Sequence, residues 1–422
     1  MILRPNRREL LAGGAATLLL PAAAPAIVAS DRLRPVMAMG VMSGDVLPDR
    51  AMIWGSADRP ARMIVEWSLD PAFRRVRRAE GGLATLGTGL TAHLDLGGLP
   101  AGRDIFYRVA FHDPHDAKRI SDWAQGRLRT PGFERRRTRF TFAGDEAGQG
   151  FGINPDLGGY RIYEAMRRKR PDIFIHQGDQ IYADGILKPE VPLHGGGIWH
   201  NLTTPVKDHV AQTLDDFRGA YAYNLLDTNK RRFLAEVPML IQWDDHEVRN
   251  NWYRDKHLAT QPDMPELIVN ARRAMFDYNP IRAIPGTAGI YRSFRQGPLL
   301  EIFILDARSR RGSNAPEGMQ PGHPVPMFGA EQIAWLQQAL LRSTATWKLL
   351  ASDIPLSLTV PDLNKDVAKG SIEGLADGQD GPPGGREIEL AGLLSFIRRN
   401  RIRNTVWTSA DVHYAAAIRY EP

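Results

Sequence analysis

Four stretches of this chain place carboxylates directly after apolar runs. They are "FAGDEAG" with Asp145, "HQGDQIYADG" with Asp179, "WDDHEVRNN" with Asp244, Asp245 and His246, and "SADVHY" with Asp411 and His413. Taken singly, each has an ordinary use: an Asp after a strand caps a helix or forms a turn, and a lone His is most often a satisfied core residue. Repetition at four strand ends changes the weighing. Clustered carboxylates repel and raise one another's pKa unless a multivalent cation neutralises them. The set therefore points to metal chemistry at one shared site.

The donor types narrow the metal. Carboxylate and phenolate are hard oxygen donors that favour Fe(III), Ca(II), Mg(II) or Mn(II), and the chain contains no cysteine, so thiolate sites and disulfides are both excluded. Tyr182 follows Asp179 by three residues on the same turn, and a phenolate suits ferric iron. Two cations about 3.5–4 Å apart form the usual clamp for phosphoryl chemistry, activating water and steadying an in-line displacement. His246, flanked by acids that would hold its ring, is the candidate acid for the leaving oxygen. Arg308 in "LDARSRR" lies past a further strand end, where it would meet charge on the equatorial oxygens, with a surface position as the alternative.

Those side chains need elements to carry them. From Phe140 onward, short apolar runs ("FTFAGD", "DIFIHQGD", "PMLIQWDD", "LLEIFILDAR", "WKLLASD", "NTVWTSAD") alternate with helical patterns over 160–168, 265–278, 330–341 and 388–399. That grammar predicts an α/β domain, in which ligands bind beyond the carboxyl ends of the strands. Before it, from about Met37 to Thr130, "AMIWG", "MIVEWSL", "TAHLDLGGL", "DIFYRVAF" and "QGRLRT" alternate apolar with polar residues between Gly, Pro and Asp turns. They predict an immunoglobulin- or fibronectin-like β-sandwich. Between the two, "GFERRRTR" at 132–139 reads as a charged linker.

At 422 residues, with 43% apolar and 24% charged residues, the chain is of globular composition and long enough for two domains. Its first residues, with Arg7-Arg8, an apolar stretch and small residues from Ala26 to Ala29, have the form of a twin-arginine signal. The apolar stretch is shorter than the roughly 20 residues of a spanning helix and is broken by Pro21 and Pro25, so no membrane span is expected in the mature protein. Loss of the signal removes three arginines and one glutamate and lowers the net charge from +6 to +4, too small a surplus to argue for a nucleic-acid partner. The expected division is a signal over 1–29, a β-sandwich domain over 36–131 and a second domain over 139–422. Within the latter, "ADGILKPEVPLHGGGIWH" forms a long loop, either a substrate lid or a surface excursion, and "GLADGQDGPPGGRE" at 374–387 a Gly/Pro/Asp loop.

Together, "HQGDQIYADG", "DDHEVRNNW", "ILDARSRR", "EQIAWLQQALLRSTATWKLLASDIPLS" and "NTVWTSADVHY" resemble the PhoD-like alkaline phosphatases, a branch of the calcineurin-like metallophosphoesterases. The resemblance implies a double-sheet α/β sandwich with an Fe(III) and Ca(II) centre at its edge, Mn(II) or Mg(II) being alternatives for the second metal. It also implies hydrolysis of phosphate mono- and diesters outside the cytoplasm, in the periplasm or secreted, after passage through the twin-arginine export machinery. By matching motifs, Asp179 would bridge the metals, Tyr182 would bind iron, Asp411 and His413 would complete ligation, and Asp245 and Asn250 would serve the second centre. Two departures stand out. Asp145 replaces the cysteine such proteins usually carry after the first strand, and the chain ends nine residues past His413, where relatives commonly continue with a helical segment, so a truncated C-terminus is one expectation. The competing class is a catalytically inactive exported protein in which the sandwich mediates adhesion and the acidic site holds calcium structurally.

Overall fold

The structure is a computed structural model and describes residues 33–258, 262–283, 290–365 and 367–419; the signal expected over residues 1–29 lies outside the described residues. No helix among the described residues is long and apolar enough to cross a membrane.

Eight strands come first: β1 (Val41–Gly44), β2 (Arg50–Ser56), β3 (Ala61–Ser68), β4 (Arg77–Ala84), β5 (Thr91–Gly97), β6 (Asp104–Asp113), β7 (Asp116–Ile120) and β8 (Ala124–Arg129). The second half runs β9 (Phe140–Ala143), α1 (Arg161–Arg168), β10 (Ile173–Gln177), β11 (Glu190–Pro192), β12 (Ile198–His200), α2 (Leu214–Asn224), α3 (Thr228–Glu236) and β13 (Met239–Gln242). It continues with α4 (Met264–Tyr278), β14 (Arg292–Gln296), β15 (Leu300–Ile304), α5 (Gly329–Arg342), β16 (Trp347–Ala351), α6 (Glu387–Arg399) and β17 (Thr405–Thr408). The six apolar runs and four helical patterns of the second half each become an element. Helices α2 and α3 carry weaker periodicity, but both begin at side-chain caps, Thr213 in a capping box with Asp216 and Asp227 accepting from the Lys230 N–H.

One sheet unites the two halves. It has the order β5-β2-β1-β13-β10-β9, and the seam is a parallel pairing of Gly44 with Met239. Successive side chains point to opposite faces of a strand, and β1 and β2 use both. Val41 and Ile53 enter the core shared with the five-stranded sheet of β3, β4, β6, β7 and β8, while Met42 and Trp54 enter the core beneath helices α1 to α4. The other end of the sheet packs on a second one, β14-β15-β16-β17. Ile173, Ile175 and Leu240 meet Ile302, Ile304, Leu349 and Ala351 there, whereas Phe174, Met239 and Ile241 face the helices. Each large apolar side chain buried this way contributes about 1.5–3 kcal/mol. On the outer face of the second sheet, Phe303 and Leu350 pack with Leu336 and Leu340 of α5 and Leu393 and Ile397 of α6. The result is a mixed α/β double-sheet sandwich whose central strands β10, β13, β15 and β16 are largely buried on both faces, which is why they read as nearly continuous apolar runs.

Candidate metal centre

Strands β9, β10 and β13 run parallel to one another, as do β15, β16 and β17. Asp145, Asp179, Asp244 and Asp411 each follow the carboxyl end of one of these strands. Gln177, the last residue of β10, ties the two sheets together there, its Nε2 donating to Ser352 O at 3.0 Å and Thr408 O at 2.7 Å. The loops therefore open at a common edge. Asp145, Asp179 and His413 offer ligand atoms within 4.8 Å of one another, as do Asp179, Asp245 and His246, and Asp244, Asp245 and Asp411. Asp179 and Asp245 each belong to two of these groups, so the three are one continuous site.

The loops meet through short contacts. Tyr182 Oη lies 2.8 Å from His413 Nε2, which is 3.2 Å from Asp145 Oδ1. The Asp411 N–H donates to Asp145 Oδ2 at 3.2 Å, and the His246 N–H to Asp179 Oδ1 at 3.1 Å. The Tyr182 ring stacks on His246 with centroids 4.2 Å apart. Close approach depends on glycine at two points: a Cβ on Gly178 would stand 2.4 Å from the Asp244 Cβ, and one on Gly148 would stand 2.2 Å from the Tyr182 ring. Three of the acidic residues and His413 take left-handed backbone, with φ of 59° at Asp145, 49° at Asp179, 73° at Asp411 and 56° at His413. Such conformations cost about 1–3 kcal/mol each and concentrate at functional sites.

Burial and repulsion dominate the electrostatics. Asp179, only 1% exposed, has its pKa raised well above the ordinary carboxylate range by burial, with Asp245, Glu247 and Asp145 adding to the shift. Burial likewise raises Asp411 and Asp244. The Tyr182 phenol is pushed up by burial and by Asp179 and Asp145. Burial opposes charge on His246, yet Asp245, Asp179 and Asp184 outweigh it and hold the imidazole well above its usual pKa. The Asp145 carboxylate beside its Nε2 raises His413. This is the signature of a site short of positive charge.

Two of the sequence-derived residues sit differently from expectation. Arg308 was expected to meet charge on the substrate's oxygens, with a surface position as the alternative; its side chain is 0% exposed. It contacts Asp244 and Glu373 closely, lies 3.1 Å from Asp411 Oδ1 and 3.3 Å from Asp353 Oδ2, and reaches Asp245 Oδ1 at 3.9 Å. Four carboxylates at short range draw a guanidinium inward more strongly than an open cleft can. Asn250 directs its amide at Asn364, 2.8 Å away, and its backbone N–H at Asp184; the neighbouring Asn251 N–H is the one that donates to Asp245 Oδ2.

Other contributors were not singled out from the sequence. Asp184 Oδ1 accepts from His246 Nδ1 at 2.7 Å and fixes that ring. Glu247, fully buried, accepts the N–H groups of Asp179, Gln180 and Asp244 and so joins two ligand loops. Gln149 reaches His413 Nδ1 at 3.2 Å. Asp184 and Glu247 lie inside motifs already conspicuous for chemistry; Glu373 lies beside the Gly/Pro/Asp loop, in no pattern that marks it. That loop is held by Arg386, which donates to the carbonyls of Ile372, Gly312 and Ser313. His194 and His200 are exposed on the β11–β12 hairpin.

The residues fit a pair of hard cations. The donors are oxygen and imidazole throughout, and Asp145 Oδ1 is buried without a hydrogen bond among the described residues, although His413 Nε2 stands near it. Such an orphaned carboxylate oxygen next to further donors is what a coordinated ion would satisfy.

The PhoD-like phosphatase family profile matches residues 142–422, and the PhoD-like phosphatase N-terminal domain profile matches 22–132. Alkaline phosphatase D of Bacillus subtilis (strain 168) is 27% identical over 400 residues; the match covers 89% of this chain and 64% of that protein, so the chain spans under two thirds of its relative. A solved structure of PhoD superimposes with a TM-score of 0.70 at 23% identity, covering 89% of this chain and 72% of that one. A purple acid phosphatase from yellow lupin (Lupinus luteus) gives a TM-score of 0.47 at 13% identity, covering 77% and 52%. With a family profile matched across most of its length, the chain belongs to the PhoD-like phosphatase family.

Proposed function

We propose that this protein is an exported, metal-dependent phosphatase and phosphodiesterase that releases phosphate from organic phosphate esters. The observation that carries the reading is the convergence of Asp145, Asp179, Asp245 and His413, from four separate loops, on one edge of the double sheet. When bound, two hard cations would supply the charge that acidifies a water nucleophile and offsets the negative phosphoryl oxygens. Asp145, Asp179, Tyr182, Asp411 and His413 would hold the first, with Fe(III) suited by the phenol, and Asp179 and Asp245 the second, with Ca(II), Mn(II) or Mg(II) suited by carboxylates.

The chain's own residues then divide the work. Asp184 accepts from His246 Nδ1, which fixes the proton-bearing tautomer and leaves Nε2 as the nitrogen that gives or takes a proton at the leaving oxygen. Arg308 holds Asp244, Glu373 and Asp411 as an internal cation. Export through a twin-arginine signal rests on Arg7-Arg8 and the apolar stretch after them.

The test is hydrolysis of p-nitrophenyl phosphate and its bis ester by purified protein, with elemental analysis and a visible spectrum on the same sample. Turnover with iron and a phenolate charge-transfer band is expected. Calcium without iron and no turnover of either ester would sink the proposal in favour of a structural calcium protein.

A further inference from the structure

The arginines of the linker play no part in the centre just described. They lie at the other end of the strands: the linker leads into Phe140 of β9, and Asp172 immediately precedes β10. A five-residue strand at about 3.3 Å per residue puts this end roughly 17 Å from the metal loops. Here a cleft of about 440 Å³ is lined by Arg103, Arg129 and Arg136, by Phe133 and by backbone around Gly102 and Gly132. One wall is a close backbone contact, where a Cβ on Gly132 would stand 3.1 Å from the Gly102 Cα. The Arg103 and Thr130 backbones and the Gly102 N–H bond to Pro131 O fix the rim.

Two acids line the cleft, Asp172 and the exposed Glu134, and Asp104 stands beside it. Asp172 accepts from Arg136 Nη2 and the Arg139 N–H, both at 2.8 Å, and Asp104 pairs with Arg129 at 3.0 Å. Arg103 makes no side-chain ion pair among the described residues, and Arg135 and Arg137 next to the cleft are exposed. Phe133 is 81% exposed, an aromatic face offered to solvent beside guanidinium groups. Planar guanidinium forks match tetrahedral oxyanions, and a ring beside them suits an organic substituent.

We propose that this cleft is a second ligand site, separate from the metal centre, that binds a phosphate dianion through Arg103, Arg129 and Arg136. Two sources share that chemistry, inorganic phosphate and an organic phosphomonoester whose substituent lies on Phe133. Binding here is independent of whether the metal centre hydrolyses esters.

Calorimetric titration of the metal-loaded protein with phenylphosphonate, which cannot be hydrolysed, and with inorganic phosphate tests it. One site should persist when the metals are stripped by chelation. Arg103→Ala, which removes no partner from the fold, should weaken that site at least tenfold while leaving p-nitrophenyl phosphate turnover unchanged. Tighter binding of phenylphosphonate, lost in Phe133→Ala, assigns the site to an organic phosphate; equal affinities assign it to phosphate itself. Loss of all binding on chelation, or wild-type binding by Arg103→Ala, overturns the proposal.

Discussion

Tyr182 Oη and His413 Nε2 stand 2.8 Å apart although 231 residues separate them in the chain. The contact joins the loop after β10 to the loop after β17, one from each sheet, and so reports on the centre as a whole. Tyr182→Phe is expected to keep the fold, because the ring still stacks on His246. It should abolish the visible charge-transfer band of the iron-loaded protein and lower turnover. An unchanged spectrum in the variant would remove Tyr182 from the ligand set.

Asp184 acts through His246. Asp184→Asn leaves a neutral amide against Nδ1 in place of a carboxylate, removing one of the charges that raise the imidazole pKa. Supporting residues of this kind typically cost about 10–100-fold in metal affinity or activity. The alkaline limb of the kcat profile against pH, where the protonated imidazole is lost, should shift downward. Equal profiles for variant and wild type would mean that His246 does not titrate during turnover.

Arg308 is the cation at the heart of a carboxylate cluster. Removing one partner of a buried ion pair costs about 3–5 kcal/mol, because the remaining charge is left without compensation. Arg308→Met should therefore lower the denaturation midpoint and reduce metal content, with Arg308→Lys falling between the two. Full metal occupancy with only turnover lost would restore a direct role at the substrate.

The metal-free protein should lose stability as pH rises. Burial raises Glu247 from 4.5 to about 7 and Asp353 from 3.8 to about 6. Both therefore bind a proton more tightly folded than unfolded; their stabilising contribution is complete below the unfolded pKa and disappears as pH climbs through the folded one. His246 and His413, also raised, work in the same direction. Melting curves from pH 5.5 to 8 should show a falling Tm without metal and a nearly flat one with it. A Tm that rises over this range without metal would contradict the electrostatic picture.

Much of the centre was legible in the chain because its residues follow strands that read as apolar runs, buried throughout in β10 and β13 and partly exposed in β9 and β17. Asp145, Asp179, Asp245, Asp411 and His413 could be proposed from that position alone, and the structure brings them together. Arg308 is ambiguous in the sequence for the same reason. It also follows a strand, and nothing in "LDARSRR" tells whether a guanidinium turns outward to a cleft or inward to Asp244 and Glu373. Strand β4, "RRAEGGLA", was passed over because its exposed arginines and glycines give no alternation, although β3 beside it supplies the register. Nor does periodicity indicate that β1 and β2 serve two cores at once.

Donor types, their order and their attachment to strand ends are local properties, so the chemistry open to this protein is written in its chain: oxygen and imidazole donors, no thiolate, and a hard cation to relieve the acids. Which carboxylates share an ion, which one an arginine claims, and where the two halves join depend on contacts between residues hundreds of positions apart. These are settled by folding, because charge interactions fall with distance in space and take no account of distance along the chain.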